Sequence, residues 1–586
     1  MKHLALCLFL FGCGSLHRGN NCPSACTKCD ASGACKDCTP GQNFCQGDTL
    51  VACNSDGTLG STIKTCDTAH REQCMGNACL GPCDVAAATH SYIGCDYWPT
   101  TTLTTSLNPY FDFAVAVANP SIVGDVVQNA PAQITITQAG MTIATGSVNP
   151  GEVYTFKLPW VSDIAQNPTC QNGNCVSPVE SSALSSGAAY HLVSNMPVTV
   201  YQFSPLQFEK PRTKDCVDPP PNDKMPTCHS YTNDASVLLP TTALQNDYIA
   251  ISRQTTALTR KNPATGKTST SVQSGYVAVV ATKPHTTVHV TSSAYAEGGF
   301  NVDGMNPGDK GDYLLEEGDV LEIVSGHATK PCVKSDSDFQ GSYCDLGPNY
   351  DLTGTLINAD KPIAVFGGHT CTFVPYNKWA CDHLEEQIFP LETWGKQIAV
   401  AQTMPQAKNE PNVWRIISGS DNNQIFFDPP VHASATLQKA QYFEFSAQGG
   451  FVVSGTGRIA VAQYMVGEDY TGTFQAVGDP SLGLGVPIEQ YRLSYDFLAP
   501  ETYTVNFLNV IAPTGASLRI DGQPVLNSFT PIGASGYEYA QIMIPAGAHH
   551  VTSMDAPFGI TVSGLGSFTS YLYVGGLNLN EIPAPQ

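Results

Sequence analysis

Residues 361–395 read KPIAVFGGHTCTFVPYNKWACDHLEEQIFPLETWG, and this stretch decides how the rest of the chain is interpreted. The short apolar run from Ile363 to Phe366 follows a proline, which is typical of a buried β-strand. Gly367 and Gly368 then permit a tight bend. Pro390 opens a new extended run, so the stretch indicates the end of one β unit and the start of the next.

The same arrangement of a proline followed by an extended run occurs four times. Units of roughly 100 residues with short alternating strands are typical of two-sheet, immunoglobulin-like sandwiches, whereas a propeller blade needs only about four strands. We therefore predict an all-β protein of tandem β-sandwich repeat units after a small disulfide-rich N-terminal module, with one ring of repeats as the alternative. The opening prolines are Pro99, Pro240, Pro390 and Pro487.

The domain boundaries predicted from these repeats and from composition divide the chain into seven parts. They are a lipoprotein signal peptide (1–12), a tether (13–21), a Cys-rich disulfide stalk (22–95), β unit 1 (96–232), β unit 2 (233–386), β unit 3 (387–483) and β unit 4 (484–586).

Composition narrows the class of partner and the compartment. The chain carries 28 Lys and Arg against 50 Asp and Glu, a net charge of −22, with no basic cluster. Nucleic acids need a basic stripe, so we predict no nucleic-acid partner. The 22 cysteines favour an oxidising compartment.

The N-terminus predicts a lipid anchor. The apolar run from Leu4 to Phe11 is too short to span a bilayer, which takes roughly 20 residues, and is typical of a signal peptide. Cys13 follows in a lipobox-like position, so we predict that it is lipidated and anchors the protein at the outer membrane or cell surface. Ordinary cleavage and secretion are the alternative.

Most other cysteines predict disulfides. Two CxxC pairs in the stalk are separated by only five residues, whereas paired zinc motifs are normally about 12–20 residues apart, so we favour a disulfide framework over zinc. Four near-neighbour pairs bracket polar loops further on, and we predict that each forms a local disulfide. These pairs are Cys170 and Cys175, Cys216 and Cys228, Cys332 and Cys344, and Cys371 and Cys381.

G-x-S-x-G, H-E-x-x-H and P-loop motifs are absent from the sequence, so the candidate for a reactive site is a single cluster of histidines and acids. The cluster consists of His369, Asp382, His383, Glu385 and Glu386. Its members could act as metal ligands or as an acid/base set if they share one wall of a cleft. We favour a structural interpretation, in which Asp382 N-caps a helical turn and Glu385 completes a capping box. We thus predict no catalytic residue, metal or cofactor, and retain His369, His383, Glu385 and Glu386 as the candidates for metal ligands.

Several segments resemble the IgGFc-binding protein N-terminal domain family over about residues 92–580. They are YIGCDYWP (92–99), VYQFSPL (200–206), NDASVLLP (233–240), KPIAVFGGH (361–369) and ACDHLEEQ (380–387). With its lipobox and Cys-rich stalk, the chain is similar to bacterial surface lipoproteins of that family. The resemblance implies a binding or adhesion role, and it transfers no binding residue.

We therefore expect a surface-displayed, lipid-anchored, non-enzymatic binding or adhesion protein that recognises an extracellular protein or glycan. An extracellular hydrolase or metal-dependent enzyme that uses His369, Asp382, His383, Glu385 and Glu386 is the first alternative. A structural coat component is the second. The ligand, the oligomeric state and the stalk connectivity stay open.

Overall fold

A computed structural model describes residues 37–68, 71–123, 126–171, 174–213, 216, 226–471 and 477–583. The chain forms two compact units, Met1–Ala88 and Thr89–Gln586. Almost all regular structure is β, which confirms the predicted all-β class; the described α-helices are the short α1 (Pro82–Ala88) and α2 (Ser162–Ala165). The described residues include no helix long and apolar enough to cross a membrane.

The first unit is a small module braced by disulfides. Its core is limited to a few side chains such as Leu50 and Val51, so cross-links supply much of the constraint. Its strands are β1 (Asn43–Gln46), β2 (Thr49–Cys53) and β3 (Leu59–Thr65) in one sheet, and β4 (Gln73–Met75) and β5 (Ala78–Leu80) in a hairpin. Disulfides among its described residues include Cys38–Cys53, Cys45–Cys74 and Cys66–Cys79.

The predicted signal peptide, the tether, Cys13 and the stalk cysteines Cys22, Cys26, Cys29 and Cys35 lie outside the described residues. Their roles therefore stay predictions.

Two large sheets form the first half of the second unit. The seven-stranded sheet contains β6 (Gly94–Tyr97), β7 (Phe113–Ala118), β10 (Ala132–Gln138), β11 (Met141–Val148), β12 (Val153–Leu158), β16 (Tyr190–Ser204) and β19 (Asp234–Leu238). The six-stranded sheet contains β15 (Ser182–Ser185), β23 (Gly275–Ala281), β25 (Gly299–Phe300), β27 (Val320–Val324), β31 (Ile363–Phe373) and β32 (Cys381–Gln387).

Each of the two large sheets contains strands from both of the first two predicted units. β15 precedes β16 in sequence but pairs with β27 in the six-stranded sheet, and β19 pairs with β16 in the seven-stranded sheet. On both sides of the predicted boundary at residue 233, a strand of one predicted unit therefore pairs with a strand of the other. The four-unit division itself stays a prediction.

Smaller sheets complete the second unit. One four-stranded sheet contains β20 (Asp247–Ile249), β30 (Leu356–Ala359), β24 (Thr286–Thr291) and β26 (Lys310–Leu315), and a second contains β22 (Thr268–Gln273), β21 (Thr256–Lys261), β29 (Ser342–Asp345) and β28 (Lys334–Ser337). A third contains β33 (Gln397–Ala401), β38 (Gly450–Gly455), β35 (Asn423–Asp428) and β36 (Ala435–Leu437), and a fourth contains β37 (Tyr442–Ala447), β34 (Asn412–Ser418), β39 (Ile459–Tyr464) and β40 (Leu482–Leu484). A fifth contains β41 (Ser494–Ala499), β47 (Gly547–Ser553), β43 (Leu518–Ile520) and β44 (Gln523–Pro524). A five-stranded sheet contains β45 (Thr530–Ile532), β46 (Tyr537–Ile544), β42 (Val505–Pro513), β48 (Gly559–Gly566) and β49 (Thr569–Val574), and hairpins pair β8 (Ile122–Val123) with β9 (Val126–Val127), β13 (Thr169–Gln171) with β14 (Asn174–Val176), and β17 (Glu209–Pro211) with β18 (Thr227–His229).

A two-sheet sandwich is clearest between residues 397 and 484. Ile398, Val400 and Phe451 from one sheet pack with Trp414 and Ile416 from the other in one buried cluster. Inward-facing residues of both sheets thus share one core, the arrangement that defines a sandwich.

The sequence repeat has a structural counterpart at three of its four prolines. Pro240, Pro390 and Pro487 each precede one turn of 3₁₀-helix, and a strand follows each turn. Proline suits this position because its fixed φ prepares a turn and its missing N–H costs no hydrogen bond there. The strands that follow are β20, β33 and β41.

A buried polar core as the candidate functional site

The predicted cluster lies in two neighbouring strands at the edge of the six-stranded sheet. His369 belongs to β31, and Asp382, His383, Glu385 and Glu386 belong to β32. All five side chains are completely buried. They therefore do not line a solvent-accessible cleft, which an acid/base or metal centre acting on a substrate would need.

The predicted helical turn capped by Asp382 is wrong. This segment is strand β32, which pairs antiparallel with β31, so that Phe366 faces Gln387 and Phe373 faces Cys381. A capping box serves free N–H groups at a helix start, whereas this backbone is extended and pairs with a neighbouring strand. Tertiary pairing has overridden the local sequence pattern.

The predicted bend at Gly367 and Gly368 is also wrong, because both lie inside the continuous strand β31. A Cβ atom on Gly367 would lie 1.9 Å from the carbonyl oxygen of Ile251. One on Gly368 would lie 1.8 Å from the carbonyl oxygen of Leu384. Glycine is needed here for close backbone approach and not for a turn.

Side-chain oxygens, instead of carbonyls of a further strand, satisfy the outer N–H groups of β32. The acceptors are every second residue from Thr232, two residues before β19, to Ser236 inside β19, and the donors are every second residue of β32 from His383. Because both segments have the period of a strand, a single register satisfies all three N–H groups. The pairs of this side-chain ladder, acceptor first, are Thr232 with His383 (3.2 Å), Asp234 with Glu385 (3.0 Å) and Ser236 with Gln387 (2.7 Å).

The Asp234 carboxylate joins four strands. It is buried and accepts four backbone N–H groups, which belong to β19, β32, β40 and β49. Burial raises the pKa of Asp234, and the N–H donors oppose that effect. The donors are Ala235 (3.0 Å) and Leu572 (3.3 Å) on Oδ1, and Glu385 (3.0 Å) and Leu482 (3.0 Å) on Oδ2.

Asp382 is a second such junction. Its Oδ1 accepts the N–H groups of Asn233 at 2.6 Å and His383 at 2.7 Å. Its Oδ2 accepts the hydroxyl of Thr569 at 3.0 Å and the N–H of Ser570 at 3.3 Å. The carboxylate that was predicted to cap a helix thus holds the start of β49 against β32.

An irregular buried segment, residues 100–105, crosses this polar core. Buried backbone groups outside a sheet need partners, and side chains of the two large sheets supply them. The Gln202 amide accepts the Thr100 N–H at 3.2 Å and donates to the Thr100 carbonyl at 3.1 Å. Glu322 Oε1 accepts the Leu103 N–H at 3.0 Å. These contacts explain why polar side chains are buried here.

Burial disfavours the charged form of several groups in this core. It raises the pKa of Asp382, Glu322 and Glu386 well above the ordinary range, and neighbouring carboxylates add to the effect. Burial and the nearby Arg253 guanidinium lower the pKa of His369 to about 3. Both Glu386 oxygens lack a hydrogen-bond partner among the described residues.

The candidate metal ligands do not form a preassembled set. His369 Nδ1 accepts the Cys371 N–H at 3.2 Å, so Nε2 carries the proton and donates to the Gln254 carbonyl at 3.2 Å. Neither nitrogen keeps a free lone pair. His383 Nε2 lies 3.8 Å from Glu385 Oε2. In the described part of the chain, the one close group of three ligand atoms is Cys66, Cys74 and Cys79, which are disulfide-bonded.

The structure joins the four near-neighbour cysteine pairs of the second unit. Cys371–Cys381 bridges the ends of β31 and β32 beside the polar core. The other three, each at a loop or hairpin, are Cys170–Cys175, Cys216–Cys228 and Cys332–Cys344.

The sequence did not reveal a surface cleft of about 310 Å³, which we call the Tyr295 cleft. Its wall includes the Tyr295 and Tyr350 rings, with centroids 5.1 Å apart. Glu297 Oε1 accepts the His327 N–H, and His327 Nε2 lies 3.3 Å from Glu180. A second depression of about 790 Å³ adjoins it and shares Gly304 and Met305. The lining residues come from four separate stretches (295–297, 304–306, 326–327 and 350), so no local motif marks the cleft.

These features define an extracytoplasmic, disulfide-braced, all-β protein whose buried acids connect strands. A family profile described as IgGFc binding protein matches residues 234–564, which is more than half of the chain. The chain belongs to this family. The matched region contains Asp234, the β31–β32 pair and the whole side-chain ladder except Thr232.

The human (Homo sapiens) protein "IgGFc-binding protein" is similar to this chain. It is 24% identical over 234 residues, which cover 39% of this chain and 4% of the human protein. The chain thus matches only a small fraction of that relative's length.

Two solved structures give weak matches. One is an anti-sigma factor domain-containing protein from Clostridium clariflavum, 9% identical, covering 56% of this chain and 98% of its own, with a TM-score of 0.10. The other contains two B repeat units of the collagen binding protein of Staphylococcus aureus, 9% identical, covering 78% and 98%, with a TM-score of 0.09. Scores this low carry no argument about the fold.

Proposed function

We propose that this chain is a surface-displayed, lipid-anchored binding or adhesion protein that recognises an extracellular protein or glycan without catalysing a reaction. One observation carries the proposal: the histidine and carboxylate side chains that could have formed a catalytic centre are completely buried, and those of His369, Asp382 and Glu385 are hydrogen-bonded to other segments of the fold. Family membership supports a binding role, and a protein ligand in particular.

We place the ligand contact at the Tyr295 cleft. Its volume falls at the lower end of the range for ligand pockets, roughly 300–1,000 Å³. Tyrosine supplies a large, rigid contact surface, and Glu297 and His327 supply polar groups that can fix an orientation. Loops carried on a rigid β scaffold are common binding surfaces.

The binding test uses the mature protein on a biosensor surface. Immobilised IgG Fc, mucin and serum glycoproteins are the probes. Tyr295→Ala and Glu297→Gln should each weaken binding at least about tenfold, as expected when an interface residue contributes more than 1.4 kcal/mol. Tyr154→Ala is the matched control, because Tyr154 is a similarly exposed tyrosine on β12. Equal binding by all variants would remove the cleft from the proposal, and absence of binding to every probe would contradict a binding function for these ligands.

The enzyme alternative has a separate test. Hydrolytic activity toward surface polymers that disappears in Glu385→Gln and Glu386→Gln, with the unfolding midpoint unchanged, would overturn the non-catalytic proposal. The anchor is tested by Cys13→Ser, which we expect to release the protein into the medium. Retention in the membrane fraction would refute lipidation at Cys13.

A further inference from the structure

Four buried side chains around Glu385 form a chemical arrangement that ligand binding does not use. They are Thr102 on the irregular buried segment, Gln202 on β16, and His383 and Glu385 on β32. All four are completely buried, so the group is closed to solvent.

The Glu385 carboxylate holds a hydroxyl and an amide at the same time. Its Oε2 accepts the Thr102 hydroxyl at 2.5 Å, and its Oε1 accepts the Gln202 Nε2–H at 2.7 Å. The two oxygens of one carboxylate are adjacent, so the hydroxyl and the amide are held side by side. His383 Nε2 lies 3.4 Å from the same hydroxyl.

The amide carbonyl also has a donor in place. Gln202 Oε1 accepts the Thr100 N–H at 3.2 Å. A backbone N–H at this position can stabilise the negative charge that forms on a carbonyl oxygen under nucleophilic attack. The site therefore contains a nucleophile, a base, an acyl group and an oxyanion donor, which are the groups that covalent catalysis uses.

We propose that Thr102 and Gln202 react to form an intramolecular ester bond. Glu385 removes the hydroxyl proton while Thr102 Oγ1 attacks the side-chain carbonyl carbon of Gln202, and the new O–C bond forms. The carboxyl group then gives that proton to the amide nitrogen, the C–N bond breaks, and ammonia leaves. Glu385 returns to its starting form, so the step needs no oxidant, cofactor or second substrate.

Burial favours this reaction in two ways. Fixed neighbours react as if at very high concentration, roughly 10⁵–10⁸ M for well-oriented intramolecular reactions. Exclusion of water removes the competing nucleophile and protects the ester after it forms. The product would join the buried segment to β16 covalently, between the two large sheets.

Thr105 on the same segment provides an internal comparison. Its hydroxyl also donates to a buried carboxylate, Glu180, at 2.8 Å. The other Glu180 oxygen lies beside the His327 imidazole at 3.3 Å and not beside an amide. Thr105 therefore has a base without an acyl group and should stay unmodified.

Mass spectrometry of the reduced and alkylated wild-type protein tests the ester directly. We expect the intact mass to fall below the sequence mass by one ammonia, and we expect a protease digest to contain one peptide pair joined through Thr102 and Gln202. Hydroxylamine should separate that pair. Succinimide formation at Asn172-Gly173 would remove the same mass but would not join two peptides. Separate, unmodified peptides for Thr102 and Gln202 would overturn the proposal without any variant.

Variants then assign the roles. Thr102→Val should abolish the joined peptide pair because it removes the nucleophile, and Glu385→Gln should abolish it because it removes the base. Thr105→Val is the matched control and should keep the pair. A pair that persists in Thr102→Val, or one that disappears in a folded Thr105→Val protein, would contradict the assignment.

Discussion

Asp234→Asn should strongly destabilise the second unit. The carboxylate accepts four buried N–H groups, two on each oxygen. Whichever way the amide is turned, two of those N–H groups face an NH₂ group instead of an acceptor. Each buried donor left without a partner costs about 1–3 kcal/mol. The free energy of unfolding should therefore fall by about 2–6 kcal/mol.

Urea unfolding followed by tryptophan fluorescence measures this loss, because Trp394 and Trp414 are buried in the second unit. Asp555→Asn is the matched control. Its exposed carboxylate also accepts a backbone N–H, from Ser517 at 3.0 Å, and its loss should cost only about 0.5 kcal/mol. If Asp234→Asn unfolds within about 1 kcal/mol of the wild type, the carboxylate does not hold the strands together as argued.

Three further perturbations test other parts of the fold. Gly368→Ala should abolish soluble expression, because its Cβ would lie 1.8 Å from a carbonyl oxygen of β32. The hydrogen bond that the His550 ring donates to the Asp496 carboxylate raises the pKa of His550. This pair therefore stabilises the fold fully below the ordinary histidine pKa of about 6.5, and the contribution is lost as pH rises through the raised value. Asp496→Asn should therefore lower the melting temperature at pH 6 more than at pH 8.5. Arg415→Met should cost about 3–5 kcal/mol in urea unfolding, because it removes a guanidinium 2.9 Å from the buried Asp351 carboxylate.

Matched changes separate these effects from general damage. Gly81→Ala should leave expression unchanged, since its Cβ would contact only a flexible side chain at 3.5 Å. Glu316→Gln alters an exposed histidine pair with His285 and should change the melting temperature equally at both pH values. Soluble Gly368→Ala protein, or an Asp496→Asn effect that grows as pH rises, would contradict the corresponding argument.

The sequence was sufficient to predict those features of the fold that depend on residues close together in the chain. Proline-led repeats, short alternating runs and paired cysteines each arise from neighbouring residues, and the all-β class followed from them. Strand β32 was harder, because Cys381 to Gln387 contains a single large aliphatic residue, Leu384, and yet is almost wholly buried. A strand with this composition does not show the usual alternation of apolar and polar residues.

The polar core could not be predicted because its partners are distant in the chain. Each pair of the side-chain ladder joins residues 151 positions apart. The D-x-x-E pattern at Asp382 fits a helix cap as well as a buried junction, and only the approach of β19 and β49 decides between them. The Tyr295 cleft was missed for the same reason, since it exists only after four separate stretches of the chain meet.

The four N–H groups that bind Asp234 also determine when this junction can form. Because the chain is synthesised from its N-terminal end, the four donors become available one after another. The second of these N–H groups to emerge is Glu385, and the last is Leu572. Until β49 has been synthesised, the Asp234 carboxylate has to remain hydrated or be shielded by another protein. The junction at Asp234 is therefore completed only late in synthesis, and until then the strands that it joins are held by fewer contacts.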